Sequence, residues 1–246
     1  MINMEVCANS LRSALAAQEG GAIRVELCDN LPEGGTTPSH AQIELAKKML
    51  DIKVYPIIRP RGGDFLYTDL EFELMKKDIS VCRSLGCNGV VIGILKADGT
   101  VDMTRCRELI DLAGPMGVTF HRAFDMSSDL FKALEDIIDL GCERILSSGG
   151  EASALQGAEV LAALIRQAGN RISIMPGAGI SAQNISELIR ITDAGEFHAS
   201  ARKTVKSHMK FRNPNLNMGA LADEFSYDLT DSHTVKTLIE LANSVE

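Results

Sequence analysis

"DLGCERILSSGG", Asp139 to Gly150, contains the repeating pattern of the whole chain. Leu140 closes a helical pattern of spaced apolar residues, and Gly141 supplies a left-handed C-cap. Arg144, Ile145 and Leu146 then run as a short strand, and two serines and two glycines follow where the strand hands over to the next helix. The same order of helix, glycine and strand recurs in "EGGAIRVEL" (19–27), "SLGCNGVVI" (84–92), "QAGNRISI" (167–174) and "DAGEFHAS" (193–200).

Counting outward from this stretch, short runs rich in Val, Ile and Leu occur eight times: "MEVCAN", "RVELC", "KVYPIIRP", "GVVIGIL", "GVTFHRAFD", "RILSSGG", "RISIMPGAG" and "EFHASAR". Helical patterns lie between them, such as "TPSHAQIELAKKML" behind Thr37-Pro38, "SDLFKALEDIIDL" behind Ser128 and "SAQNISELIRI" behind Ser181. Strands that alternate with helices run parallel, and eight of them close a (β/α)8 TIM barrel. A doubly wound open sheet is the alternative, weakened because "EVCANSLRSA" lacks the Gly-x-Gly-x-x-Gly turn of a dinucleotide-binding sheet. The expected architecture is one α/β domain over 1–246, with an irregular lid or oligomer contact over 203–230 and a final helix from about Asp231.

The chain has 246 residues, 45% of them hydrophobic, enough for one large core. A formal net charge of −8 with no basic run argues against nucleic acid as a partner. No window reaches the ~18 apolar residues of a membrane span, and no leader pattern precedes the first strand, so a cytoplasmic protein is expected. Six scattered cysteines suit a reducing compartment.

Alternation along the strands collects polar residues on one face. Glu5 pairs in parity with Cys7, Glu26 with Cys28, Arg59 with Arg61, His121 with Asp125, and His198 with Ser200, all toward the carboxyl ends of five strands. That is the end at which a barrel forms its active site. Buried carboxylates and guanidinium groups must pair or meet water, so a solvated pocket at the mouth is expected, with outward-facing residues or an inert ion-pair plug as alternatives. Ser147 and Gly149 in "SSGGEAS", and Gly177 and Gly179 in "PGAGIS", read as an anion cradle of phosphate or carboxylate type, or as ordinary tight turns. Cys82, Cys87, Cys106 and Cys142 read as structural. Cys7 and Cys28 end neighbouring strands, where a thiolate pair suits Cu(I) and two packed thiols are the plain alternative.

Three functions follow from these residues. The first is a binding protein holding Cu(I) at Cys7 and Cys28, with His121 or His198. The second is an enzyme of proton-transfer, isomerase or lyase type on a small anionic, possibly phosphorylated, metabolite. There Glu5 or Glu26 is the base, His121 or His198 the acid, Arg59 the anion clamp and the glycine loops the cradle. A metal-dependent hydrolase ranks last, because the first strand lacks a His-x-His pair.

The strand-end motifs "VELC" with "EGGTTPS", "PIIRPRGGDF", "GVVIGIL" with "DGTVD", "VTFHRAFD", "RILSSGG", "MPGAGI" and "EFHASA" together resemble the copper homeostasis protein CutC family over residues from about 4 to 213. The resemblance implies a TIM barrel, a cytoplasmic location, copper handling through copper binding, and a homo-oligomer, dimer or higher. It carries over the polar mouth as Glu5, Glu26, Arg59, His121, Asp125, His198 and Ser200, with Cys7 and Cys28 as soft ligands.

Overall fold

The apolar runs form eight short parallel strands, and the spaced patterns between them form the helices that cover their outer faces. A computed structural model describes residues 1–213, 215, 216 and 223–245. The order is β1 (Asn3–Ala8), α1 (Leu11–Glu19), β2 (Arg24–Leu27), α2 (His40–Met49), β3 (Lys53–Pro56), α3 (Asp69–Ser84), β4 (Gly89–Ile92), α4 (Met103–Ala113) and β5 (Gly117–Phe120). It continues with α5 (Leu130–Leu140), β6 (Arg144–Ser147), α6 (Ala158–Ala168), β7 (Ser173–Pro176), α7 (Ile185–Thr192), β8 (Glu196–Ala199), β9 (Arg202–Lys206), β10 (Ser226–Thr230) and α8 (Ser232–Ala242).

Two four-stranded parallel ladders, β3-β2-β1-β8 and β4-β5-β6-β7, make the barrel wall. A parallel bridge from Ile57 to Val91 joins β3 to β4. On the other side β7 packs along β8, where the Ser173 hydroxyl donates to Glu196. Outward residues such as Val6, Val25, Val54, Phe120, Ile145 and Phe197 are buried in the main apolar core with the helices. The inward positions are occupied by the opposite parity, which is the parity of the polar residues. Among the described residues no helix is long and apolar enough to cross a membrane.

Helix ends follow local chemistry, with small shifts from the expected signals. Ser39 caps α2, and Thr68 with Glu71 closes a capping box on α3. Asp129, not Ser128, caps α5, and α7 begins at Ile185 behind Asn184, four residues beyond Ser181. Gly141 takes the left-handed C-cap as expected, at φ 83°. In "DAGEFHAS" that conformation falls instead on Asp193, at φ 55°. Residues 203–230 are not wholly irregular: β9 and β10 pair antiparallel, Arg202 opposite Thr230 through Lys206 opposite Ser226. The rest of the expected lid falls partly at 214 and 217–222, outside the described residues.

Candidate functional site at the barrel mouth

Register assembles the site. Glu5 on β1 lies beside Arg24 of β2 and beside His198 of β8, and Cys7 lies beside Glu26. All of these side chains point into the barrel and are buried. At the level nearest the strand starts, Arg24 Nε donates to Glu5, and Arg24 Nη2 donates to Glu196 at 2.7 Å. Arg144 Nε donates to the other Glu196 oxygen at 2.6 Å, and its Nη1 to Glu143 at 2.7 Å, which also accepts from the Tyr55 hydroxyl at 2.7 Å. Each buried charge thereby meets an opposite one. The reading from residue types missed Arg24, Arg144 and Glu196. The same inward parity, carried two residues back toward the strand starts, marks them.

His198 lies above this layer. Its Nδ1 is 2.7 Å from Glu5 and its Nε2 is 3.6 Å from Glu26. Burial alone would raise the Glu5 carboxyl, but the charges of Arg24 and His198 outweigh it and hold the group down at about 2. Burial would lower the His198 pKa, yet hydrogen bonds to Cys7 and Glu5 and the charge of Glu26 hold it well above the ordinary imidazole range. His198 is therefore an imidazolium between two carboxyl groups. Burial raises the Glu26 carboxyl, against the pull of His198. Cys7 Sγ, a Glu26 oxygen and a His198 ring nitrogen lie within 4.8 Å of one another, and Cys28 Sγ is 3.5 Å from Cys7 Sγ. The contact with Cys28, together with burial, keeps the Cys7 thiol protonated well above its usual range.

This cluster opens into a cavity of about 510 Å³, lined also by Arg59, Phe65, His121, Gly179 and Ser200. Arg59 does not face the glutamates as an ion pair. Its Nη1 donates to the carbonyls of Glu33 and Gly35 at 2.7 and 2.8 Å, and its Nη2 to Gly63 at 2.8 Å, so it ties the loops after β2 and β3 together. Arg61 leaves the site for Asp64 and Glu71. His121 Nδ1 accepts from the Ala123 amide at 3.1 Å, which places the ring proton on Nε2. Burial first, then the charge of Arg59, pushes His121 down to about 3, so it is neutral at pH 7. Its ring sits where Gly93 leaves room: a Cβ there would be 2.5 Å from it.

The expected anion cradle after β6 is already filled by a carboxylate of the chain itself. Asp125 accepts from the Ser147 hydroxyl at 2.6 Å, from the Ser148 and Gly150 amides at 3.0 Å and from Arg122 Nε at 2.8 Å. Asp125 lines the same cavity as Glu26, His121 and His198, and its oxygens are engaged in holding this loop. Ser147 and Gly149 close a turn around it, the Gly149 amide donating to Ser147 Oγ at 2.8 Å, so on these two residues the tight-turn alternative describes the loop. Gly177 likewise gives its amide to the Ser147 carbonyl at 2.9 Å. A Cβ there would be 2.5 Å from Leu146 and 3.2 Å from His198, so close packing requires the glycine. Cys82, Cys87, Cys106 and Cys142 are buried away from the cluster, in the main apolar core.

Residues 2–203 match the family model described as the CutC family. The family protein CutC of Chromobacterium violaceum is 55% identical over 238 residues, 96% of each chain. The copper homeostasis protein cutC homolog of Homo sapiens is 47% identical, covering 98% of this chain and 89% of the human protein. The crystal structure of CutC from Streptococcus agalactiae superposes with a TM-score of 0.78 at 36% identity, over 81% of this chain and 99% of that one. With the same barrel and a family match that runs from β1 through β8, all eight barrel strands, this chain belongs to the CutC family.

Proposed function

We propose that this protein binds Cu(I) at the mouth of the barrel, through Cys7 and Cys28 with His198 beside them, and serves copper homeostasis in the cytoplasm as a homo-oligomer. The observation that carries this reading is the thiol pair: two sulfurs 3.5 Å apart, with an imidazole nitrogen and a carboxylate oxygen within 4.8 Å of Cys7. Soft thiolate and imidazole ligands suit Cu(I). The name of the human relative, copper homeostasis protein cutC homolog, points the same way. Six free, buried cysteines suit a reducing compartment, and exposed Met209, Phe211 and Tyr227 near the hairpin suit contact between copies. Cys7 and the His198 imidazolium must each give up a proton before they can hold the ion, so affinity rises with pH.

An anaerobic Cu(I) titration against a competing chelator tests the site. Cys7→Ser is expected to weaken binding by about 100-fold or more and Cys28→Ser by about tenfold or more. Affinity unchanged in both variants would overturn the assignment.

The cavity favours a second reading, an acid–base enzyme. Its volume of about 510 Å³ matches small-molecule sites, roughly 300–1,000 Å³, and far exceeds the needs of an ion. Glu26 and the His198 imidazolium face it together as base and acid. On this reading Glu26→Gln abolishes turnover of a substrate found by metabolite screening, and retained turnover would remove Glu26 from the base role.

A further inference from the structure

Every other buried cation of the barrel has a carboxylate: Arg24 and Arg144 have Glu196, and His198 has Glu5. Arg59 has none among the described residues. It is 4% exposed, its Nη atoms meet only neutral carbonyls, and its Nε makes no well-formed hydrogen bond; the polar side chain near the guanidinium is the neutral Tyr67 hydroxyl rather than a carboxylate. Beside it, His121 carries a proton on Nε2, without a partner. The two groups flank one ring: Phe65 lies 5.0 Å from the Arg59 guanidinium carbon and 5.0 Å from the His121 ring centre. All three line the cavity. A buried, unneutralised guanidinium with two idle N–H donors on one cavity wall is costly unless an anion completes it.

We infer that Arg59 and His121 form a subsite for the carboxylate of a small molecule entering the cavity, with the Phe65 ring as its cover. A singly charged, planar carboxylate matches one positive charge and two side-chain donors. A phosphate dianion fits less well, because the loop amides that would cradle it hold Asp125, and Glu26 shares the cavity. The Phe65 backbone is fixed, its carbonyl accepting from the Leu95 amide at 3.0 Å, so only the ring turns aside to uncover the donors. The inference deepens the enzyme reading by naming the substrate class, a small carboxylate. It needs no copper.

Acetate, inorganic phosphate and chloride are titrated at matched ionic strength into metal-free protein with labelled histidine, following the His121 Nε2 resonance. Acetate is expected to shift it saturably, and more tightly than phosphate or chloride. By calorimetry, Arg59→Gln and His121→Asn each weaken acetate by about tenfold or more; the asparagine oxygen still accepts from Ala123, so this variant keeps its loop. Phe65→Ala tightens acetate binding. No saturable shift, an equal response to chloride, tighter binding of phosphate, or unchanged acetate affinity in both donor variants would overturn the subsite. Failure of the copper titration leaves these results unaffected, and Glu26→Gln, which tests turnover, leaves the His121 signal in place.

Discussion

His121 is a buried imidazole kept neutral, and that choice shows in the pH dependence of stability. Its folded pKa of about 3 lies below the ordinary 6.5, so between these values the unfolded chain binds a proton that the native chain refuses. Stability therefore rises with pH across this window and is lost on acidification, with a slope approaching about 1.4 kcal/mol per pH unit from this group. Urea unfolding at several pH values should show the slope in the wild type and its loss in His121→Asn. Gly93 is the companion residue: Gly93→Ala pushes a methyl group into the imidazole and is expected to cost about 1–3 kcal/mol, read as a lower urea midpoint at unchanged slope. Residue types alone marked Glu5, Glu26, Cys7, Cys28, His121 and His198, because inward parity is a local property of a strand. They did not show that Arg59 binds carbonyls, since Glu33, Gly35 and Gly63 reach it through two loops whose course is set by tertiary packing.

Among the elements, the loop from β6 to α6 is built around a carboxylate from the turn after β5. Asp125→Ala leaves the Ser148 and Gly150 amides without their acceptor and should cost about 2–4 kcal/mol, seen by thermal unfolding. The emptied cradle then takes an anion, so phosphate should raise the melting temperature of this variant more than that of the wild type. The glycine and serine signature of an anion loop was legible in "SSGG", but the identity of the anion was not, because Asp125 is 22 residues from Ser147 in sequence. The hairpin of β9 and β10 was hidden for another reason. Its strands are short and mostly exposed, without the apolar alternation that marks a buried face, and their pairing spans residues 207–225. The barrel strands, by contrast, announce themselves through apolar runs behind helix-closing turns.

Across the whole molecule, one row of charged side chains crosses the barrel interior from Glu143 through Arg144, Glu196, Arg24 and Glu5 to His198. Removing one member strands its partner. Glu196→Ala is expected to destabilise the protein by about 3–5 kcal/mol in denaturant unfolding, more than a typical surface change. The fold needed only the count and order of strands to be read from the sequence. The row needed the barrel's closure, because Glu196 on β8 meets Arg144 on β6 across the interior. Two of its members, Arg24 and Arg144, never release a proton at any pH a cell meets. The row thus transmits electric field without conducting hydrogen ions, like a wire with two insulators set into it. A proton that His198 or Glu26 gains or gives up cannot be relayed along this row past the two guanidinium groups, so its route lies through the cavity at the mouth.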